Sequence, residues 1–179
     1  MMKGQDKLEI IKEERELLAD EVRVARRASE ITAKLVVEQF VKMEKIQTRL
    51  EEKALLERQL RERGIRSEEV LRVMGEVPRE AFLPPGRRAE AYRDQALPLS
   101  KGQTLSQPYM VAVMTEALSL RPEDRVLEVG TGSGYQAAVL AEITQNVYSV
   151  EIIPSLARHA REVLDELGYD SVKTKVGDG

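Results

Sequence analysis

A glycine-rich segment in the carboxyl-terminal third of the sequence is the pattern most suited to binding chemistry. Its glycines are Gly130, Gly132 and Gly134, and it follows an apolar run, 125–129, that predicts a buried strand. Glycines allow tight turns and let a ligand lie against bare backbone. Two acids accompany the segment: Glu128 precedes the first glycine, and Glu151 ends the next predicted strand, about 20 residues further on.

The glycine spacing indicates which ligand fits. A dinucleotide fingerprint, G-x-G-x-x-G, needs glycine at position 135 or 137, where Tyr135 and Ala137 stand. An acid at the end of the second strand suits a pair of ribose hydroxyls, and an acid in the first strand suits a cationic amino group. S-adenosylmethionine has both groups and no phosphate, so we predict it as the ligand. The predicted contacts are Glu128, Gly130, Thr131, Gly132, Ser133, Gly134 and Glu151.

Three simpler interpretations stay open for these residues. The glycines can form a purely structural turn, with both acids at exposed strand ends. Asp178 follows a third predicted strand, 172–176, where it suits a contact to the adenine edge or a plain Gly-Asp-Gly turn. Tyr135 and Gln136 either contact the ligand or only begin the following helix.

The elements that must position these residues form a β-α-β-α-β unit. Strands are predicted at 125–129, 146–151 and 172–176, with helices at 135–143 and from Pro154 to about Gly168. This order is half of a doubly wound parallel sheet, an α/β fold.

The first third of the chain follows a different pattern. Glycine and proline are absent between Gly4 and Gly64, which predicts one helix over 5–63, roughly 90 Å long if straight. A helix of that length must bend back, break or find a partner. Its apolar residues recur at helical spacing: Leu8, Ile11, Leu18, Val22, Ala25, Ala28, Ile31, Leu35, Val36, Phe40, Met43, Ile46, Leu50 and Ala54. The interpretations are packing on its own domain or on a second copy, a coiled coil with a partner, and, disfavoured by its mixed charges, a membrane-surface helix.

Between these parts lies a loop-rich stretch. Ser67 is placed to cap a short helix that reaches about Met74, and a further helix is predicted over 109–120. Residues 79–108 carry turn and polar residues in high density, and long loops beside a regular core are often functional.

Composition excludes several classes of protein. The 179 residues contain no cysteine, which excludes disulfide scaffolds and thiolate metal sites, and one histidine, His159, which makes a histidine-rich zinc site implausible. No apolar run approaches a membrane span, and the net charge of −3 argues against nucleic acid as a partner. Because the first residues lead into charged sequence without an apolar run, we expect no secretory signal. We expect a cytoplasmic protein.

Three segments together resemble the protein-L-isoaspartate O-methyltransferase family. They are Val77-Pro78-Arg79-Glu80-Ala81-Phe82, Gly102-Gln103-Thr104-Leu105-Ser106-Gln107-Pro108 and Glu128-Val129-Gly130-Thr131-Gly132-Ser133-Gly134-Tyr135-Gln136-Ala137-Ala138 with Val150-Glu151-Ile152. The resemblance covers about residues 54–179. It implies a Rossmann-like S-adenosylmethionine methyltransferase fold with an incomplete sheet, preceded by a long helical extension. The expected parts are 1–53 (extension), 54–121 (acceptor part) and 122–179 (cofactor part).

The resemblance also implies an activity: methyl transfer from S-adenosylmethionine to the free carboxylate of isoaspartyl residues in damaged proteins. By resemblance Ser106 is the active-site serine, Thr104 and Gln107 line the acceptor pocket, and Gly130, Gly132, Glu151 and Asp178 match cofactor-binding positions. A carboxylate is already an anion at neutral pH, so the reaction needs alignment rather than a general base. Ser106 is expected to orient the acceptor by a hydrogen bond, and His159 to be a surface residue of a helix.

The family's sheet continues beyond a Gly-Asp-Gly like that of residues 177–179, so the resemblance predicts a truncated chain that is inactive or impaired, with a bare first strand at the sheet edge. The alternative function is a non-catalytic module that oligomerises through its helix and carries a remnant cofactor-binding half. A methyltransferase acting on RNA or a small molecule is disfavoured by the Gln103–Pro108 loop.

Overall fold

The computed structural model describes the backbone of residues 4–179 and the side chains of residues 15–179. The helices are α1 Gly4–Glu62, α2 Glu68–Glu76, α3 Pro108–Leu118, α4 Tyr135–Ala141 and α5 Pro154–Glu166. The strands are β1 Leu97–Pro98, β2 Thr104–Leu105, β3 Arg125–Val129, β4 Asn146–Glu151 and β5 Lys173–Val176. The predicted helices and the three long strands are confirmed, with ends that differ by a few residues.

The chain divides into two compact units, Met1–Leu50 and Glu51–Gly179. In the first unit α1 is a helix whose described apolar side chains are exposed to solvent, with exposed fractions of 53% at Leu35, 62% at Phe40 and 68% at Met43. The side chains of Leu8 and Ile11, which belong to the predicted apolar stripe, lie outside the described residues. An apolar helical face of this kind is stabilised by packing rather than by helix propensity.

The second unit is an α/β fold around a three-stranded parallel sheet in the order β3-β4-β5. The register pairs Glu128 with Ser149 and Glu151 with Val176. Helix α4 connects β3 to β4, and α5 connects β4 to β5, as the predicted β-α-β-α-β unit requires. The α/β class is therefore confirmed.

The packing of the sheet is one-sided in the described residues. Val126 and Val147, on the side that α4 and α5 cover, are buried, whereas Leu127 and Val129 alternate with them and are 61% and 66% exposed. Within the described part of the chain, strand β3 pairs only with β4 and so lies at the edge of the sheet. The expectation of an exposed apolar edge at the first strand is confirmed.

The core joins the sheet layer to α2, α3 and the end of α1. Its buried members include Leu56, Leu60, Val73, Met74, Phe82, Val111, Tyr135, Ala138 and Leu164. Ser67 caps α2, since its Oγ accepts a hydrogen bond from the Val70 amide at 3.3 Å. The loop-rich stretch contains 3₁₀ turns and the antiparallel pair β1–β2, which the sequence pattern did not indicate. Among the described residues every helix is too short or too polar to cross a bilayer.

Candidate functional site

The glycine loop links β3 to α4 and folds back on the end of β4. Gly130, Gly132 and Gly134 have φ values of +96°, +55° and +92°, a region that favours glycine. The amides of Gly130 and Thr131 donate to the Val150 carbonyl at 2.7 and 3.2 Å. The predicted tight turn is confirmed, and it presents bare backbone beside the carboxyl end of β3.

Glu128 lies in β3 with a half-buried carboxyl group. Ser149, its register partner on β4, donates a short hydrogen bond to the carboxylate, and the Ser149 and Thr131 hydroxyls are 2.6 Å apart. Burial raises the pKa of Glu128 to about 7; the Ser149 hydrogen bond opposes this rise, and the negative charge of Glu151 adds to it. Near neutral pH the carboxyl group is therefore poised between its two forms, and a nearby cation would favour the ionised one.

Glu151 is 5% exposed and holds the loop in place. Its Oε2 accepts a hydrogen bond from the Gly132 amide, and its Oε1 accepts one from the Ile153 amide, both at 2.9 Å. Each oxygen keeps one further acceptor position. The predicted contact between Glu151 and a ribose stays a prediction.

A cavity of about 560 Å³ brings the two predicted functional segments together. The residues that line it on the acceptor side are Thr104, Leu105 and Ser106; on the strand and glycine loop, Val126, Leu127, Glu128, Val129, Gly130, Thr131, Gly132 and Ser133; and on the helices, Met114, Ala117, Leu118, Gln136 and Leu140. Four predicted site residues are not among those lining residues: Gln107, Gly134, Glu151 and Asp178.

Ser106 is exposed, and its hydroxyl makes no hydrogen bond with the side chains or backbone that the structure describes. It directly follows β2, lines the cavity and precedes Pro108, the first residue of α3, by two positions. The hydroxyl is thus available to a ligand, as an orienting hydrogen-bond donor requires.

Gln107 is engaged on another side of the loop. Its Nε2 donates to the Asp94 carbonyl at 3.1 Å and to Asp94 Oδ1 at 2.7 Å, while Arg63 Nη1 donates to Asp94 Oδ2 at 2.6 Å. The Arg63 guanidinium in turn lies 3.7 Å from the centre of the Tyr109 ring. These contacts brace residues 103–108, the predicted acceptor loop, and the predicted role of Gln107 in lining the acceptor pocket stays a prediction.

Two predictions concern residues outside the cavity. Asp178 is exposed in the segment after β5, where Gly177 donates its amide to the Glu151 carbonyl at 3.0 Å; its contact to adenine stays a prediction. His159 lies on α5 with its side chain 61% exposed, so the prediction of a surface residue is confirmed. Among residues 15–179 no group of three or more metal-binding side chains comes together.

Sequence reasoning did not single out Ser149, and it left Gln136 open between a ligand contact and a residue that only begins the following helix. Ser149 was detectable, because it lies two positions before Glu151 in a predicted strand and therefore shares its face. Gln136 donates to Thr115 Oγ1 at 2.9 Å, and its buried Oε1 has no hydrogen-bond partner in the described part of the chain. That oxygen belongs to a residue lining the cavity, which makes it a candidate ligand contact.

The family profile of protein-L-isoaspartate(D-aspartate) O-methyltransferase matches residues 50–179. The chain belongs to this family. The resemblance inferred from the three sequence segments is thereby confirmed, and the match begins four positions before the predicted start at 54. Most of α1 lies outside it.

Curated relatives in the family are similar over the same region. The chain is 54% identical over 128 residues to protein-L-isoaspartate O-methyltransferase of Rhodopseudomonas palustris, covering 72% of this chain and 59% of the relative. It is 57% identical over 125 residues to protein-L-isoaspartate O-methyltransferase 2 of Pelobacter propionicus, covering 70% and 56%. The chain thus spans less than two thirds of the length of these relatives.

Two solved structures agree with the fold. A protein-L-isoaspartate O-methyltransferase superimposes with a TM-score of 0.63 at 31% identity, covering 71% of this chain and 42% of that one. A Plasmodium falciparum chain assigned to the same enzyme class, in complex with S-adenosyl-L-homocysteine, superimposes with a TM-score of 0.59 at 28% identity, covering 69% and 61%. The predicted methyltransferase type of α/β fold with a long amino-terminal helix is confirmed.

Proposed function

We propose that this chain carries the glycine loop, residues 130–134, and the acceptor loop, residues 103–108, of a methyltransferase. The enzyme transfers a methyl group from S-adenosylmethionine to the free carboxylate of L-isoaspartyl residues in damaged proteins. One observation carries the proposal: Thr104 and Ser106 line the same cavity as Glu128 and the glycine loop. A methyl donor and a methyl acceptor held in this cavity would lie next to each other. Membership of the family supports the choice of reaction.

The residues present fit the donor. S-adenosylmethionine supplies a methyl group on a positively charged sulfur, and it also carries an ammonium group, a ribose and an adenine. We propose that Glu128 pairs with the ammonium group, that residues 130–134 lie against the ligand, and that Glu151 and Asp178 contact ribose and adenine. The half-buried carboxyl of Glu128, whose pKa burial raises to about 7, supports the first of these contacts, since a cation beside it restores its charge.

The acceptor side needs positioning rather than proton transfer. An isoaspartyl carboxylate is ionised at neutral pH, so its oxygen attacks the methyl carbon directly. The new carbon–oxygen bond forms as the carbon–sulfur bond breaks, and the electron pair of the broken bond stays on sulfur. We propose that the Ser106 hydroxyl donates a hydrogen bond to the second carboxylate oxygen and that Thr104 and Gln107 shape the pocket. Alignment of this kind supplies much of the acceleration available to such a reaction.

The proposed function is tested with paired peptides. The purified chain is incubated with methyl-labelled S-adenosylmethionine and a peptide that contains either an L-isoaspartyl or an L-aspartyl residue at one position. We expect label only in the isoaspartyl peptide, and a loss of about 10²-fold in kcat for Ser106→Ala, from the lost orientation. Saturable cofactor binding without transfer to either peptide would refute the enzymatic proposal and favour the non-catalytic module.

We also propose that residues 15–50 of α1 associate with the same segment of a second copy. Large apolar side chains lie exposed along this segment, among them Ile31, Leu35, Val36, Phe40 and Met43. Its charges are mixed, with ion pairs of the i, i+3 or i, i+4 type at Asp20–Arg23 and Arg26–Glu30. A mixed polar face with an apolar stripe suits a second amphipathic helix better than an anionic membrane.

Light scattering of the full chain tests this association. We expect the mass of a dimer or larger oligomer, and a monomer mass for the double variant Leu35→Glu, Phe40→Glu, which places charges in the stripe. The control is Lys34→Glu, on an exposed polar position of the same turn. A wild-type chain that stays monomeric at high concentration would contradict the proposal.

Two further expectations remain proposals. A cytoplasmic location is supported by the proposed ligand, which cells make and use in that compartment, and cell fractionation tests it. The division into 1–53, 54–121 and 122–179 is supported by the extent of the family match, which begins at residue 50, and by the start of the β-α-β-α-β unit after residue 121. Limited proteolysis tests it, with cleavage expected in the exposed part of α1 before residue 53 and in the loop near residue 121.

A further inference from the structure

A buried arginine lies between the acceptor loop and the glycine loop. Arg79, the first residue of a 3₁₀ turn at Arg79–Phe82, has 0% of its surface exposed. It is the largest fully buried side chain in the described part of the chain. Arginine is rarely buried without a partner of opposite charge, so its presence here calls for a reason.

Arg79 contacts three separate segments. Its Nε donates to the Ala91 carbonyl at 2.7 Å, and its Nη2 donates to the Ser106 carbonyl at 2.6 Å. The guanidinium carbon lies 4.8 Å from the centre of the Tyr135 ring, a cation–π distance. Tyr135 is the first residue of α4, directly after the glycine loop. One side chain therefore joins the residue proposed to orient the acceptor to the end of the loop proposed to hold the donor.

The charge of Arg79 is not neutralised by a carboxylate. No ion pair in the described part of the chain includes it, and its Nη1 is buried without a hydrogen-bond partner there. Burial lowers the pKa of Arg79, opposed by the nearby Tyr135. Core packing alone is served as well by an apolar side chain of similar length, without the desolvation of a charge. The two carbonyl contacts are what an apolar residue cannot make.

We propose that Arg79 is a positioning residue, which fixes the place of Ser106 relative to the glycine loop and so the alignment of the acceptor with the methyl donor. This inference rests on the proposed function. Arg79 holds the carbonyl of Ser106, and the Ser106 hydroxyl stays available on the cavity side. This hydrogen bond, called the clamp below, therefore sets the direction in which the hydroxyl points. Bond making and breaking involve only the carboxylate oxygen, the methyl carbon and sulfur, and Arg79 exchanges no proton.

Kinetics and calorimetry test the inference with three variants. Arg79→Met keeps the length of the side chain without its charge, Arg79→Lys keeps the charge without the planar, several-donor guanidinium group, and Arg79→Ala removes the side chain beyond Cβ. We expect kcat to fall by about 10²-fold in each, because a misplacement of about 1 Å far from the reacting atoms has an effect of that size. We expect the dissociation constant for S-adenosylmethionine to change by less than about threefold, because loss of the clamp leaves the cofactor contacts in place.

Millimolar guanidinium ion is expected to restore part of the activity of Arg79→Ala alone, since it refills the vacated site. The control, Arg87→Met, removes an exposed arginine of the next turn and should behave as wild type.

Hydrogen exchange separates this inference from the proposed function, because it needs no catalysis. We expect faster exchange of the amides of residues 103–107 in Arg79→Lys, with unchanged exchange in the central strand β4. A uniform increase over the whole second unit would indicate a merely structural role and overturn the inference. So would a kcat of Arg79→Lys within twofold of wild type. If wild type itself does not methylate the isoaspartyl peptide, the proposed function fails, and local exchange still decides whether Arg79 places the loop.

Discussion

Binding of S-adenosylmethionine should weaken as the pH falls from 7 to 5, because of Glu128. Burial raises the pKa of this carboxyl group to about 7, so at pH 5 it is almost fully protonated in the free protein. The cationic amino group of the ligand pairs only with the ionised form. At pH 5 the bound state therefore requires removal of a proton that the free protein holds firmly.

The size of the effect follows from the two pKa values of Glu128. If the ligand returns the carboxyl group to its ordinary value of 4.5, the dissociation constant at pH 5 exceeds that at pH 7 by about 40-fold, or about 2 kcal/mol. Binding at pH 6 then releases about 0.9 proton. The amino group of the ligand stays protonated over this range, since α-amino groups titrate near pH 8.

Isothermal titration calorimetry in buffers of different ionisation enthalpy measures both quantities. Glu128→Gln should bind weakly with little pH dependence, and 5′-methylthioadenosine, which lacks the amino acid part, should show none. Ser149→Ala removes the donor that stabilises the carboxylate, so the midpoint of its pH profile should move above 7. A change of less than about threefold between pH 7 and pH 5 for wild type would refute the pairing of Glu128 with the ammonium group.

Stability and solubility provide three further predictions. Gly134→Ala should lower the free energy of unfolding by about 1–3 kcal/mol in urea titrations, because its φ is +92° and a Cβ would lie 3.3 Å from Leu164 Cγ; an unchanged midpoint would show that the loop adapts. Ser67→Ala should cost about 1 kcal/mol through the lost cap of α2, measured in the same way, whereas an effect near zero would mean that the cap is replaced by solvent. Leu127→Lys or Val129→Lys should reduce concentration-dependent light scattering without loss of helical circular dichroism, since charges on an open edge strand oppose aggregation. Scattering equal to wild type would mean that aggregation proceeds through another surface.

Local patterns of the sequence were sufficient for the elements that carry the cofactor loop. The apolar run at 125–129 and the glycines after it predicted β3 and the turn, because strand burial and left-handed backbone are properties of single residues. The sequence likewise predicts the acid at position 128 as a contact to the ligand. Its raised pKa was not predictable, because it depends on burial by distant segments and on Glu151.

The acceptor loop shows what local patterns do not determine. Thr104 and Ser106 were identified by family resemblance, but the β1–β2 pair that presents them depends on contacts between positions 97 and 105. Gln107 and Arg63 both donate hydrogen bonds to the Asp94 carboxylate. These three residues are far apart in sequence, and only packing brings them together. The same holds for Arg79, whose sequence neighbours give no sign that it is buried.

The two hydrogen bonds that Glu151 accepts from the Gly132 and Ile153 amides have a consequence for the speed of binding. They fix the conformation of the glycine loop during folding, before any ligand arrives, so that entry of a ligand does not wait for the loop to rearrange. Association should then be a single, concentration-dependent phase in stopped-flow experiments, limited by diffusion and orientation rather than by a conformational step. The backbone of residues 130–134 should superimpose closely between the free and the ligand-bound forms.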